Sequence, residues 1–240
     1  MSRDRIYADN HDSLAGFAFD DAVARVFPDM IKRSVPGYSM IIPMIGVITE
    51  RYVQKNSNLY DLGCSLGASL LAMRHGVKKS GCKVVGIDNA QAMLKRCQSY
   101  VDIDDAVAPV ELHEGDVTCF AYENASVITL NFTLQFIAKE KRQKLIQDLY
   151  DALNPGGVLI LSEKLSFAEP EQTLQQELHW DFKRANGYSD LEVSQKRSAL
   201  ENVLVPETGQ EHIERLTSAG FSQASQWYQC FNFSSFIAVK

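Results

Sequence analysis

The chain has 240 residues, 45% hydrophobic and 22% charged, with 24 lysines and arginines against 30 aspartates and glutamates, a formal charge of −6. This is ordinary globular composition, with enough core to fold without disulfide or metal staples. It excludes a broad sequence-independent nucleic-acid surface, which needs clustered cations, though not a small cationic pocket for an anionic metabolite. No run of about 18 apolar residues is present to span a bilayer. Residues 1–18 are polar and lack an apolar signal core, so they read as a flexible terminus and the cytoplasm is the expected location. Five cysteines, Cys64, Cys82, Cys97, Cys119 and Cys230, form no CxxC pair and read as small buried hydrophobes. The five histidines are equally dispersed, so no metal is expected.

Asp20 and Asp21 open an apolar-periodic stretch through Val23, Val26 and Phe27, which predicts a short helix with an acidic cap. Pro28 suits the start of a second helix, and Pro36-Gly37 a turn. Met40, Ile41, Met44, Ile45, Ile48 and Tyr52 then recur at helical spacing. From residue 58 the pattern becomes alternating strand and helix. Strands are predicted at 58–61, 83–88, 109–112, 127–130 and 158–162, with helices at 68–74, 90–100 and 139–153. Asn154-Pro155-Gly156-Gly157 marks a helix stop. This alternation implies a mostly parallel, doubly wound sheet with helices on both faces. Residues 170–204 break the rhythm as a helical insertion, and 208–219 is a last helix stopped by Gly220. Strands at 225–231 and 235–239 are separated by so short a connection that they must form an antiparallel hairpin. The expected organisation is one α/β domain over 19–240 carrying that insertion.

The turn Gly63-Cys64-Ser65-Leu66-Gly67 lies where the first strand meets the first sheet helix. Ligands of open α/β sheets bind there, beyond the carboxyl ends of the strands. A dinucleotide motif would read GxGxxG; here Ser65 replaces the second glycine and Gly67 comes one residue early. The same residues also spell GxSxG, the nucleophile-elbow pattern of α/β-hydrolases. Against that reading, no HGGG-like segment precedes the motif, and the late histidines, His179 and His212, fall within predicted helices. Asp88, at the end of the second strand, suits the two hydroxyls of a ribose. Asp116 and Val117 after the third strand suit an adenine, and Asn131 after the fourth lies at the same edge.

These segments, DLGCSLG (61–67), GIDNA (86–90), EGD (114–116), LNFTLQF (130–136) and LNPGGVLILSE (153–163), resemble the class I S-adenosylmethionine-dependent methyltransferases. The closing hairpin, 225–240, fits that fold too. Segments 26–41, 60–69, 131–136, 181–204 and 227–236 together resemble the carboxy-S-adenosyl-L-methionine synthases, from about residue 17 onward. The resemblance implies a transferase that converts S-adenosylmethionine and prephenate to carboxy-S-adenosyl-L-methionine and phenylpyruvate. It implies a homodimer whose product feeds a partner enzyme making 5-oxyacetyluridine at the tRNA wobble position. The family's ligand contacts fall on Tyr38, Gly63, Cys64, Ser65, Asp88, Asn89, Asp116, Val117, Asn131 and Arg197.

Arg197 is the residue on which the reading turns. A newly made carboxylate needs a fixed cation, and a guanidinium offers two parallel hydrogen bonds. Lys183, Arg184 and Lys196 are neighbouring cations in sequence. Two other readings remain at this point: a conventional methyltransferase acting on a small molecule or RNA, whose methyl group needs no cation, and a nucleotide-binding partner without catalysis. The acidic charge disfavours direct tRNA binding in all three.

Overall fold

A computed structural model describes residues 3–8, 18–200 and 203–240. Two helices come first: α1 (Asp21–Ser34) and α2 (Tyr38–Tyr52). Asp20 caps α1, its side chain accepting from the Val23 N–H at 2.9 Å. Pro28 does not begin a second helix as its sequence position suggests; it lies inside α1. Val23, Val26 and Met30 run through it on one buried face. Burial of that continuous stripe outweighs the one hydrogen bond that proline removes.

Strand–helix units follow: β1 (Asn58–Leu62), α3 (Ala68–Gly76), β2 (Lys83–Asp88), α4 (Gln91–Ile103), β3 (Val110–Glu114), β4 (Ala125–Asn131), α5 (Lys139–Ala152) and β5 (Leu153–Lys164). The insertion is α6 (Glu171–Ala185) and α7 (Asp190–Leu200). The chain closes with α8 (Gly209–Ala219), β6 (Gln223–Cys230) and β7 (Phe233–Val239). The sheet order is β3-β2-β1-β4-β5-β7-β6, the first five parallel and β7 antiparallel to both neighbours. Winding reverses between β1 and β4, so their carboxyl ends flank the crevice where such sheets take ligands. Successive residues of the central strands feed opposite core layers. Leu59, Val84 and Val127 pack with α2 and α3, and Tyr60, Val85 and Ile128 with α5 and α8.

Two boundaries differ from the sequence expectation. Helix α5 ends at Ala152, and the Asn-Pro-Gly-Gly stretch belongs to β5, where the pairing with β4 shifts register between Ala125 and Val127. The hairpin turn sits at Phe231-Asn232, and β7 begins two residues earlier than expected, because Phe233 is buried and already pairs with Lys164. Among the cysteines, Cys64, Cys82 and Cys97 are buried, but Cys119 is exposed and Cys230 only half-buried. The N-terminal polarity has a structural use at residues 3–8. Asp4 is 1% exposed, and its Oδ2 accepts from Tyr188 Oη at 2.5 Å and Lys196 Nζ at 3.3 Å. Its carbonyl accepts from Arg33 at 3.3 Å, so this one residue ties α1 to α7. Residues 9–17 lie outside the described residues. Among the described residues, no helix is long and apolar enough to cross a membrane.

Candidate active site

A cavity of about 1210 Å³ opens over the carboxyl ends of β1, β2, β4 and β5. Its roof is α1, the first turn of α2 and the insertion helices α6 and α7. Cofactor-sized pockets run to roughly 1,000 Å³, so there is room for a nucleoside-sized ligand and a second small molecule.

The floor is the turn after β1. Gly63 (φ 73°) and Gly67 (φ 85°) take the left-handed conformation, and a Cβ on Gly63 would lie 2.4 Å from Thr133 Oγ1. Only glycine lets the chain pass there. Ser65 also has positive φ, 50°, and its N–H donates to Asp88 Oδ2 at 2.8 Å. The other Asp88 oxygen accepts from the Ala90 N–H at 2.8 Å. Asp88 thus braces the residue just ahead of α4 and ties β2 to the β1 turn, and each oxygen keeps a lone pair for a ligand hydroxyl. Burial raises its carboxyl pKa, partly offset by these N–H donors.

Asn89, Asp116 and Val117 continue the lining along the β2 and β3 edge. Asp116 is exposed, and its bond to the Thr118 N–H holds its carboxyl below the usual range. Asn131 donates to Ser69 Oγ at 2.9 Å, while its Oδ1 is buried without a partner. Tyr38 closes the near wall against Phe132, at 6.4 Å between ring centroids, and its burial raises the phenol pKa. Cys64 is buried beneath the turn; contact with Cys97, then burial, pushes its thiol well up. All the sequence-predicted positions therefore line one cavity.

Ser65 is not a triad nucleophile. Its Oγ approaches Met93 Sδ at 3.7 Å, and no histidine bonds it among the described residues. His212 packs on Phe236 and Arg215, in the opposite core layer, and His179 bonds the Ser34 carbonyl.

The cations sort differently from their order in sequence. Arg184 is exposed and paired with Asp181 at 2.8 Å and Asp190 at 2.7 Å. Lys196 is committed to Asp4. Arg197 has no acidic partner among the described residues and lies over the Trp180 ring at 5.6 Å. Lys183 and Lys164 also line the cavity. Lys164 had no visible signal in sequence; it ends a strand 33 residues before Arg197, and only the sheet brings them together. Asp61 likewise carries no sequence signal beyond its place beside the turn motif. It is 1% exposed beneath that turn, pushed up to about 8 by burial, with Oδ2 unpartnered. The group His75, Asp104 and Asp105 has metal-ligand spacing, but Asp104 is already paired with Arg74 at 2.9 Å and His75 at 2.7 Å.

Residues 59–157 match the family described as a methyltransferase domain. Solved structures share the fold at low identity. A putative O-methyltransferase from Nostoc punctiforme superposes with TM-score 0.63 at 15% identity, covering 92% of this chain and 60% of its own. The Synechocystis magnesium protoporphyrin IX methyltransferase, solved with bound SAH, gives 0.61 at 13% identity, covering 88% and 87%. Sheet order, crevice and domain match define the class: a protein with the S-adenosylmethionine-dependent methyltransferase fold. Relatives of full length narrow it. The carboxy-S-adenosyl-L-methionine synthase of Marinobacter nauticus is 58% identical over 238 residues, 99% of this chain and 95% of that one. The Yersinia pestis enzyme of the same name is 53% identical over 239 residues, 99% and 90%. The chain belongs to the carboxy-S-adenosyl-L-methionine synthase family and is an enzyme.

Proposed function

We propose that this enzyme joins S-adenosylmethionine and prephenate to give carboxy-S-adenosyl-L-methionine, phenylpyruvate and water. The observation that carries the reading is Arg197, a guanidinium with no acidic partner among the described residues, at the edge of a crevice with room for an adenosine. Methyl transfer has no use for such a cation; a carboxylated product does. Asp88 would take the ribose hydroxyls. Asp116 and the Val117 N–H would take the adenine. Tyr38, the Gly63-Cys64-Ser65 turn, Asn89 and Asn131 would hold the rest of the ligand.

The sulfonium acidifies the methyl C–H. The prephenate hydroxyl leaves with that proton as water, the bond to the ring carboxylate breaks to release carbon dioxide, and the ring becomes aromatic. The ylide carbon then forms its bond to carbon dioxide. No side-chain nucleophile is needed; the protein orients the reactants and keeps water from quenching the ylide. The insertion helices over the cavity suit that task.

Two assignments accompany this reading. The product is carried to a tRNA-modifying enzyme for 5-oxyacetyluridine formation, in the cytoplasm, without tRNA binding by this acidic chain. The enzyme is a homodimer: Met40 and Val47 stay 54% and 59% exposed on α2, more apolar surface than a lone subunit needs. Light scattering at micromolar concentration should give the dimer mass, and a monomer mass contradicts it.

Asp88→Ala should weaken S-adenosylmethionine binding about tenfold to a hundredfold. Hydrogen bonds to a charged group are worth ~1.5–3 kcal/mol each. Calorimetry giving unchanged affinity with the fold intact would remove the ribose from Asp88. The reaction itself is tested by the mass of the small molecule that copurifies with the protein. One carbon dioxide above S-adenosylmethionine supports the reading; S-adenosylhomocysteine supports a conventional methyltransferase.

A further inference from the structure

The cavity holds more positive charge than Arg197 supplies. Lys164 ends β5 at the carboxyl edge of the sheet, in register with Phe233 of β7. The His179 ring stands edge-on to Phe233, 4.8 Å between centroids, and Lys183 lies one turn further along α6. Lys183 is 6% exposed and Lys164 half-buried, and neither side-chain ammonium has a hydrogen bond or ion pair among the described residues. An unpaired ammonium taken out of water is unfavourable, and several together more so. His179 does not add to the charge. Its Nε2 donates to the Ser34 carbonyl at 2.8 Å, and burial beside Lys183 and Lys164 keeps its pKa well below the usual value. Burial, with Lys196 and Lys164 nearby, brings Lys183 down to about 7. These are the marks of a site built for an anion.

We propose that Lys164 and Lys183 form a separate anion subsite, holding the carboxylate that the second substrate keeps through the reaction. This rests on the carboxyl-transfer reading, in which Arg197 meets the carboxylate after it has moved. The division follows from charge. The ring carboxylate of prephenate loses its charge as carbon dioxide forms, so a tight cation there would favour the ground state over the transition state. The pyruvyl carboxylate is unchanged throughout, so fixed ammonium groups can anchor it and orient the ring without opposing the chemistry.

Phenylpyruvate retains only that carboxylate and is the direct probe. Calorimetry with protein loaded with S-adenosylhomocysteine should show phenylpyruvate binding weakened roughly 10- to 100-fold in Lys183→Met and in Lys164→Met, as for loss of charge-assisted hydrogen bonds. The KM for prephenate should rise by a similar factor, with S-adenosylmethionine affinity unchanged and part of the loss recovered in Lys183→Arg. Ligand-free Lys183→Met should also melt at a higher temperature than wild type, because an unpaired buried charge is gone; a lysine with a merely structural role would lower it. Unchanged phenylpyruvate affinity and KM in both variants overturn the subsite while leaving the reaction standing. A parallel fall in S-adenosylmethionine affinity overturns it by placing the lysines on the methionine carboxylate. Lysine-dependent phenylpyruvate binding by a wild type that makes no carboxylated product would instead sink the reaction and keep the subsite.

Discussion

Arg197→Leu should lose carboxy-S-adenosyl-L-methionine selectively and bind S-adenosylmethionine almost as before. The two ligands share adenosine, ribose and amino-acid groups; only one adds a carboxylate. Removing one partner of a guanidinium–carboxylate pair closed off from water costs ~2–5 kcal/mol. Arg197 is exposed and steadied by Trp180, so the lower half of that range applies. The expected loss is roughly thirty- to several-hundred-fold in affinity for the carboxylated ligand. Arg197→Lys should fall between, because a point charge cannot reproduce two parallel hydrogen bonds. Turnover with prephenate should fall in the same order. Dissociation constants for both ligands, with circular dichroism as a folding check, decide it. Equal weakening of both would move Arg197 to the methionine carboxylate, and no change in either would return it to solvent.

Glu207→Gln should bring the largest loss of stability, about 3–5 kcal/mol, the usual cost of stripping one partner from a buried ion pair. Glu207 is 4% exposed and accepts from Arg142 and, at 2.6 Å, from Arg215. Arg142 is 1% exposed and also donates to the carbonyls of Ile137 at 2.8 Å and Val205 at 2.9 Å. Together they fasten the segment after β4 to the return from the insertion, two borders of the cavity. Burial alone would raise the Glu207 pKa, but Arg142 and Arg215 more than offset it and hold the carboxyl below its ordinary value. A depressed folded pKa stabilises above the unfolded value and is lost as pH falls through the folded one. Wild-type stability should therefore decline in acid, and Glu207→Gln should flatten that decline. Denaturant unfolding across the acid range measures both; a loss under about 1 kcal/mol would show that water reaches the pair.

Local chemistry made much of this molecule legible. The β1 turn could be read because two glycines at fixed spacing meet a backbone need that no other residue satisfies, and the cavity placement of Asp88, Asp116 and Asn131 because each ends or follows a strand at the binding edge. Elements with a single strong signal, such as the Asp20 cap and the Gly220 stop, stand where the sequence puts them. What failed was non-local. Pro28 is a helix-start signal overruled by burial of Val26 and Met30 on either side. The hairpin turn moved because Phe233 has its place in the sheet beside Lys164. Asp4 looks like any polar terminal residue until Lys196, 192 positions later, needs a counterion. Lys164 and Lys183 stand 19 positions apart on a strand and a helix, and only the insertion folding back over the sheet makes them one cluster.

In the proposed reaction, carbon leaves one substrate as carbon dioxide and is captured on the methyl of the other inside a single cavity. Prephenate carrying an isotopic label at the ring carboxyl tests it directly, with the purified protein, S-adenosylmethionine and mass spectrometry of the products. The expected products are carboxy-S-adenosyl-L-methionine retaining the label and unlabelled phenylpyruvate in equal amount. S-adenosylhomocysteine as the nucleoside product, or a carboxylated product free of label, would contradict it.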